Sequence, residues 1–348
     1  MGVLFNVLMK TQFVPFRFPI KSLKTYSLWE SDEQEGLRRR CMRIDEIDGV
    51  RLNDIETVLH GIQDEICRQV EALDPSGAFH EDAWSRANGG GGRTRIFENG
   101  QVFEKGGVNF SRVCGDKLPP SASAKNEKLV GRAFEAMGIS VVLHPINPFI
   151  PTSHMNVRVF VATAPNEEPL WWFGGGFDLT PYYVFEEDCV LWHQEAQKVC
   201  DRLSPDAYVQ YKDWCDRYFF LKHRNETRGV GGLFFDDLNS HPAPTCFKFI
   251  QAVARCYGST FGEIVSQREK IPYTQAHRDF QAYRRGRYVE FNLVYDRGTI
   301  FGLQSGGRIE SILMSMPPVA HWRYQYEPEP NTAEAALSDY LKPRDWLG

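Results

Sequence analysis

The chain has 348 residues, 42% hydrophobic and 24% charged, with a net charge of −5 when histidine is neutral. This is the composition of an ordinary globular protein and excludes the disordered and fibrous classes. No Lys/Arg stripe supplies the electrostatic footprint of nonspecific nucleic-acid binding, and no run of about 18 apolar residues marks an integral membrane segment.

Along the chain, the first 29 residues lack Asp and Glu and carry Lys10, Arg17, Lys21 and Lys24. That bias resembles an organellar presequence but lacks its Arg and Ser richness. Met42, just after Arg38-Arg39-Arg40, is an alternative start of translation. Residues 1–49 are read as an N-terminal extension, disordered or processed, and 50–348 as one domain. The eight cysteines (41, 67, 114, 189, 200, 215, 246 and 256) form no CxxC pair. They read as reduced thiols in a reducing compartment, so the expected location is cytoplasmic, with the mitochondrion as the alternative.

From Asn53 or Asp54 as N-cap, apolar residues recur at Ile55, Val58, Leu59, Ile62, Ile66, Val70 and Leu73, which predicts a helix ending near Asp74-Pro75. Arg93–Phe97 and Gln101–Glu104 flank Asn99-Gly100, a hairpin signal. Strands are expected at Ile139–Leu143 and His154–Thr163, where Met155, Val157, Val159 and Val161 alternate with His154, Asn156, Arg158 and Phe160. Further strands are expected at Trp171–Phe177, at Tyr288–Tyr295 closed by the turn Asp296-Arg297-Gly298, and at Thr299–Leu303. Helical stretches lie near 186–203, 205–222 and 245–268. Strands joined by tight turns, with helices between groups of strands, indicate an α+β fold: an antiparallel sheet covered by helices, without a linker or repeat dividing the chain.

Three places carry candidate chemistry. His154, Asn156 and Arg158 share one strand face and suit a carboxylate-bearing ligand; a plain solvent-facing edge is the other reading. In Trp171–Tyr183, three glycines strip a strand end bare just before Asp178, a carboxylate amid aromatics that needs hydrogen-bond donors. A turn-capping role before Thr180-Pro181 is equally open there. Gly229–Gly232 before Phe234-Phe-Asp-Asp237, and Gln304–Gly307 before Arg308, are neither GxGxxG nor Walker loops. Gly306, Gly307 and Arg308, opening a short helix over Ile309–Met316, suit an anion; a tight hairpin turn is the alternative.

The blocks His144–Arg158, Trp172–Tyr183, Gly231–Asp237 and Tyr288–Pro318 together resemble oxygen-dependent coproporphyrinogen III oxidase, over residues 50 to 348. The resemblance implies a large curved antiparallel sheet flanked by helices on both faces, and a homodimer with contacts in 89–98 and 288–323. It implies oxidative decarboxylation of two propionates of coproporphyrinogen III to vinyl groups, with molecular oxygen as co-substrate and no other cofactor. Ser140, Asn156, Arg158, Gly306, Gly307 and Arg308 match substrate-contacting positions, Arg228 an arginine implicated in activity, and His154 a proton donor. Asp178 matches the aspartate that engages pyrrole N–H groups; ionised, it would stabilise positive charge on the oxidised ring while Arg158 and Arg308 grip propionates.

His144, His154, His193 and His223 match family positions and raise the question of a metal, but spacings of 10, 39 and 30 residues form no local ligand motif. No metal ligand is assigned; His193 and His223 read alternatively as helix residues in a satisfied core. Two other functions use parts of the same pattern. A non-catalytic tetrapyrrole carrier would need the glycines, aromatics and arginines but not Asp178, and a histidine-cluster metallohydrolase would need metal and ignore oxygen.

Overall fold

The computed structural model describes residues 44–87, 89–118, 127–304 and 306–348. A hairpin of β1 (Glu46–Ile47) and β2 (Val50–Arg51) leads into helix α1 (Leu52–Leu73). The chain then lays down β3 (His80–Ser85), β4 (Gly90–Glu98), β5 (Phe103–Gly115), β6 (Ala133–Pro145), β7 (Thr152–Thr163) and β8 (Leu170–Thr180) as an antiparallel meander. After α2 (Glu186–Cys200), α3 (Ala207–Tyr218) and the small pair β9 (Phe220–Leu221) and β10 (Glu226–Thr227), strand β11 (Gly231–Leu238) joins beside β8. The result is an open seven-stranded antiparallel sheet in an α+β fold of one domain. The predicted Asn99-Gly100 hairpin is present between β4 and β5, with Asn99 at φ 59°, the left-handed conformation that such turns use.

Strand parity decides which side is core. Met155, Val157, Val159 and Val161 are buried, and their cross-strand neighbours Val141, Ile139, Val108, Phe110, Phe177, Leu233 and Phe235 extend that apolar layer. Helices α1 and α4 (Ala243–Arg268) lie on it, contributing Ile55, Leu59, Ile62 and Ile66, and Ile250, Val253, Tyr257 and Phe261. Each such side chain, fully buried, contributes about 1.5–3 kcal/mol. The opposite face meets α5 (Gln275–Val294), α6 (Arg297–Gln304) and α7 (Ile309–Leu313): the Tyr288 ring lies 5.3 Å from that of His144, Phe301 lies 6.1 Å from Phe134, and Met314 sits above Gly107. A final helix, α8 (Ala333–Tyr340), packs Leu337 against Tyr183 and Phe280.

Two expected strands are helices. Tyr288–Tyr295 belongs to α5, whose start is fixed by a reciprocal cap between Thr274 and His277. Its β-branched and aromatic content suggests a strand, but its buried residues Phe280, Tyr283, Arg287 and Phe291 follow the helical period, and packing overrides propensity. Thr299–Leu303 lies in α6, because Asp296 is not a hairpin turn residue: its Oδ2 accepts from the Thr299 amide at 2.7 Å and caps the helix. The first helix begins two to three residues earlier than expected, with Arg51 in the cap position and its guanidinium paired to Asp54. Among the described cysteines, Cys67, Cys189, Cys200, Cys215, Cys246 and Cys256 are free and buried, as expected of reduced thiols, whereas Cys114 is disulfide-bonded and departs from that expectation. No helix of the described residues is long and apolar enough to cross a membrane.

The end of α1 is tied to the β4–β5 turn by one carboxylate. Buried Asp74 accepts hydrogen bonds from the amides of Gln101, Val102 and Phe103 and from the Ser76 hydroxyl. Burial works to raise its pKa, but the Ser76 hydroxyl and these amides hold it below the ordinary carboxylate value. Its stabilisation is therefore complete above the unfolded pKa of about 3.9 and is lost as pH falls through the lower folded value. Asp74→Ala, which strands these amides, should cost about 2–3 kcal/mol in urea unfolding at pH 7 and flatten the acid slope. A change within about 0.5 kcal/mol would show the turn holds itself.

Candidate active site

The face turned away from the main core carries His154, Asn156 and Arg158, all half-buried. Strand register aligns Asn109, Ser140, Asn156 and Gly176 in one row across the sheet. Gly138, Arg158 and Gly174 form the row on one side of it, and Val142, His154, Asp178 and Gly232 the row on the other. Rows on one face stand about 7 Å apart along the strands. Short polar side chains and glycines thus make a low floor, with its charged residues toward the β8–β11 edge. Such a floor accepts a flat ligand close to the backbone.

At one end of the floor lies a buried charge pair. Asp178 and Arg228 have side chains only 2% exposed, and Arg228 Nη2 approaches both carboxylate oxygens at 2.7 Å. Arg228 also donates to Asn292 Oδ1 at 2.7 Å and lies over the rings of Phe219, Tyr288 and Phe291, 4.2–4.8 Å from their centroids. Burial works to raise the Asp178 pKa, but the Arg228 charge and the His154 contact bring it below the ordinary value, so the carboxylate is ionised.

His154 Nδ1 lies 2.8 Å from Asp178 Oδ1. An ionised carboxylate only accepts, so Nδ1 carries the proton, and the 3.4 Å approach of Arg228 Nη2 to Nδ1 is proximity rather than donation. Nε2 has no hydrogen-bond partner among the described residues, and the His154 side chain is 22% exposed. Of this trio, His154 is the member that reaches the surface. Asp178 does not present a bare carboxylate to the cleft, because His154 and Arg228 already supply the donors that its aromatic setting demands.

The two arginines matched to propionates already have acidic partners. Arg158 donates from Nη1 to Asn156 Oδ1 at 2.7 Å, and its Nη2 lies 2.9 Å from Asp236 Oδ1. Arg308 sits across the sheet, with Nη2 2.5 Å from Asp82 Oδ2 on β3. It also donates to Ser311 Oγ, which contacts Thr94 Oγ1, whose own hydroxyl donates to Asn109. This chain links Arg308 to the Asn109–Ser140–Asn156 row. Gly306 (φ 67°) and Gly307 connect α6 to α7, so the tight hairpin reading of that segment is replaced by a helix-to-helix joint. Arg297, Asp82 and Asn109 are not among the sequence candidates, and Asp236 enters there only within the Phe234-Phe-Asp-Asp237 cluster, with no role of its own. For Asp236 the available signal was Phe234-Phe-Asp-Asp237, obscured as a strand by the glycines before it.

The four histidines stand apart in the fold. His144 is buried between Thr152 Oγ1 and the Ser315 carbonyl, and burial keeps it neutral. His193 in α2 is buried between Tyr208 and the Val230 carbonyl, and burial lowers its pKa to about 4. His223 is no core helix residue: it follows β9, half open to solvent, and contacts Tyr295 and Glu290. Among the described residues no three His, Cys, Asp or Glu side chains are grouped as metal ligands. A cavity of about 490 Å³ opens beyond Met314, lined by His80, Ile96, Glu98, Lys105 and Glu310, and holds none of the predicted site residues.

Removing one member of a buried ion pair leaves the other charge uncompensated. Arg228→Met should therefore destabilise the fold by about 3–5 kcal/mol. Combining it with Asp178→Asn should return part of that loss. Chemical denaturation of the three variants decides this, and an additive double variant would mean that the pair is not coupled.

Residues 54–346 match the family described as coproporphyrinogen III oxidase. The match takes in every strand of the seven-stranded sheet and both ends of the cleft, so fold, site and family coincide on one stretch of chain. The chain belongs to the coproporphyrinogen III oxidase family, oxidoreductases of heme biosynthesis that act on coproporphyrinogen III.

Proposed function

We propose that the protein is the oxygen-dependent form of the enzyme and converts two propionates of coproporphyrinogen III to vinyl groups, giving protoporphyrinogen IX. For each propionic acid, the side chain loses carbon dioxide and two hydrogens, and dioxygen takes up the two electrons and two protons as hydrogen peroxide. The electron-rich pyrrole is itself the reductant of oxygen, so no organic cofactor is called for.

The observation that supports this reading best is the fixed orientation of His154. With Nδ1–H held by Asp178, Nε2 points the other way, free to take or give a proton at a substrate lying on the Asn109–Ser140–Asn156 floor. Asp178 serves as a fixed negative charge that steadies an imidazolium and a ring losing electrons. In this arrangement it acts on the tetrapyrrole through His154. Arg158 and Arg308, at opposite sides of the floor and each only partly engaged by a carboxylate, are suited to propionates.

The reading extends to a homodimer of this chain, to a reaction without metal and to a cytoplasmic or mitochondrial place for it. Gel filtration and metal analysis of active protein address the first two.

Incubation with coproporphyrinogen III in air, followed by oxidation and fluorescence of the product, tests the reaction. Turnover should stop when oxygen is removed and resume on its return; undiminished anaerobic turnover would contradict the proposal. His154→Gln should lower kcat about 10²–10⁴-fold with little change in KM, and a near-normal rate would remove His154 from the chemistry.

A further inference from the structure

We propose that Asp236 is a positioning and specificity-determining residue, which holds Arg158 and Arg297 together as a clamp for a single propionate carboxylate. The inference rests on the tetrapyrrole reading of this cleft. Strand parity turns Phe235 into the core and Asp236 onto the floor side. The register then shifts between Phe235 and Leu238, with Asp237 at φ 64°. This bulge returns Leu238 to the core opposite Phe173, in the place that the charged Asp237 would otherwise take.

Asp236 reaches two guanidinium groups. Oδ1 lies 2.9 Å from Arg158 Nη2, and Oδ2 lies 3.4 Å from Arg297 Nη2. The two arginines are thus separated by one carboxylate, and like charges at that spacing repel unless an anion stands between them. Each is also steered from its other side. Asn156 accepts from Arg158 Nη1, while Arg297 lies 5.0 Å from the centroid of Tyr218 and 5.7 Å from that of Phe234.

The pair is built into the sheet at Gly174. A Cβ there would sit 2.8 Å from Asp236 Oδ1 and 3.0 Å from Arg158 Nη2. This gives the first of the three successive glycines a definite task. Asp236 Oδ1 is buried and makes no hydrogen bond, so its contact with Arg158 is an off-axis ion pair rather than a saturated fork. Arg158 uses one N–H of its five on Asn156, and its side chain is 32% exposed, so donors remain for a ligand. The two guanidinium groups leave donors for one propionate, while Asp236 and Asp296, both of whose charges act on Arg158, disfavour a second anion beside it.

The test measures kcat and KM for coproporphyrinogen III, and the dissociation constant of oxidised, unreactive coproporphyrin III by fluorescence. Asp236→Asn should raise both KM and the dissociation constant about tenfold, with kcat within about threefold. Asp236→Glu should recover part of the affinity. Wild type should also bind a tetrapyrrole carrying an acetate beside each propionate more weakly than coproporphyrin, and Asp236→Asn should narrow that gap. Unaltered affinity and discrimination in Asp236→Asn would overturn the proposal, and so would a loss of kcat alone.

If Asp236→Asn does not fold, Gly174→Ala displaces the same ion pair without removing a charge. Unaltered coproporphyrin affinity in that variant would equally overturn the clamp. Wild type that binds coproporphyrin with this sensitivity but converts nothing would sink the reaction and leave the clamp standing. Conversion by wild type, with variants that bind as wild type does, would do the reverse.

Discussion

Two opposite charges buried together, Arg228 and Asp178, set the geometry on which the rest of the site depends. Placing either alone at 2% exposure would be prohibitive, and even as a pair they are poor evidence of stability, because desolvation offsets most of their attraction. Their value lies in orientation. Arg228 is surrounded by the rings of Phe219, Tyr288 and Phe291 and anchored on Asn292, so it has little freedom to leave. Asp178 is fixed in turn, and its second duty is to hold His154 Nδ1. A proton-transferring ring whose tautomer and angle are fixed beforehand does not have to be ordered during reaction.

The sheet has two unlike faces, and one alternation produces both. Val157 faces a dry core under α1 and α4, while Asn156 and Arg158 on either side of it face the cleft. A one-residue slip of β7 would bury the arginine and expose the valine, so core packing and site geometry enforce the same register. Glycines mark where that regular frame yields to the site. Gly174 clears the space in which Arg158 meets Asp236, and Gly176, at φ 144°, is so near the Leu233 carbonyl that a Cβ would sit 1.9 Å from it.

Much of this was legible in the sequence because it is local. The β7 alternation, the Asn99-Gly100 turn and the apolar stripes of α1 and α4 follow from residue spacing, and the structure has them. Tyr288–Tyr295 reads as a strand because an aromatic, β-branched stretch has the same local appearance in a strand and in a buried helix; only its packing partners, Arg228 among them, distinguish the two. The candidate residues divide in the same way. His154, Asn156 and Arg158 share a face by parity alone, but the partners of Asp178 lie 24 residues before it and 50 after it, and no local pattern states such a contact. Asp236 was hidden for a related reason, since its importance comes from Arg158, Gly174 and Arg297, which converge on it from three other elements.

The buried pair fixes both the tautomer and the direction of the His154 ring. Nitrogen NMR of protein labelled at histidine reads both directly. Nδ1 should be protonated and Nε2 bare in the neutral ring, with only the Nε2 resonance moving strongly when coproporphyrin III is added. A protonated Nε2, or a ligand-induced shift confined to Nδ1, would mean that Asp178 does not orient this histidine and that the proton moves by another path.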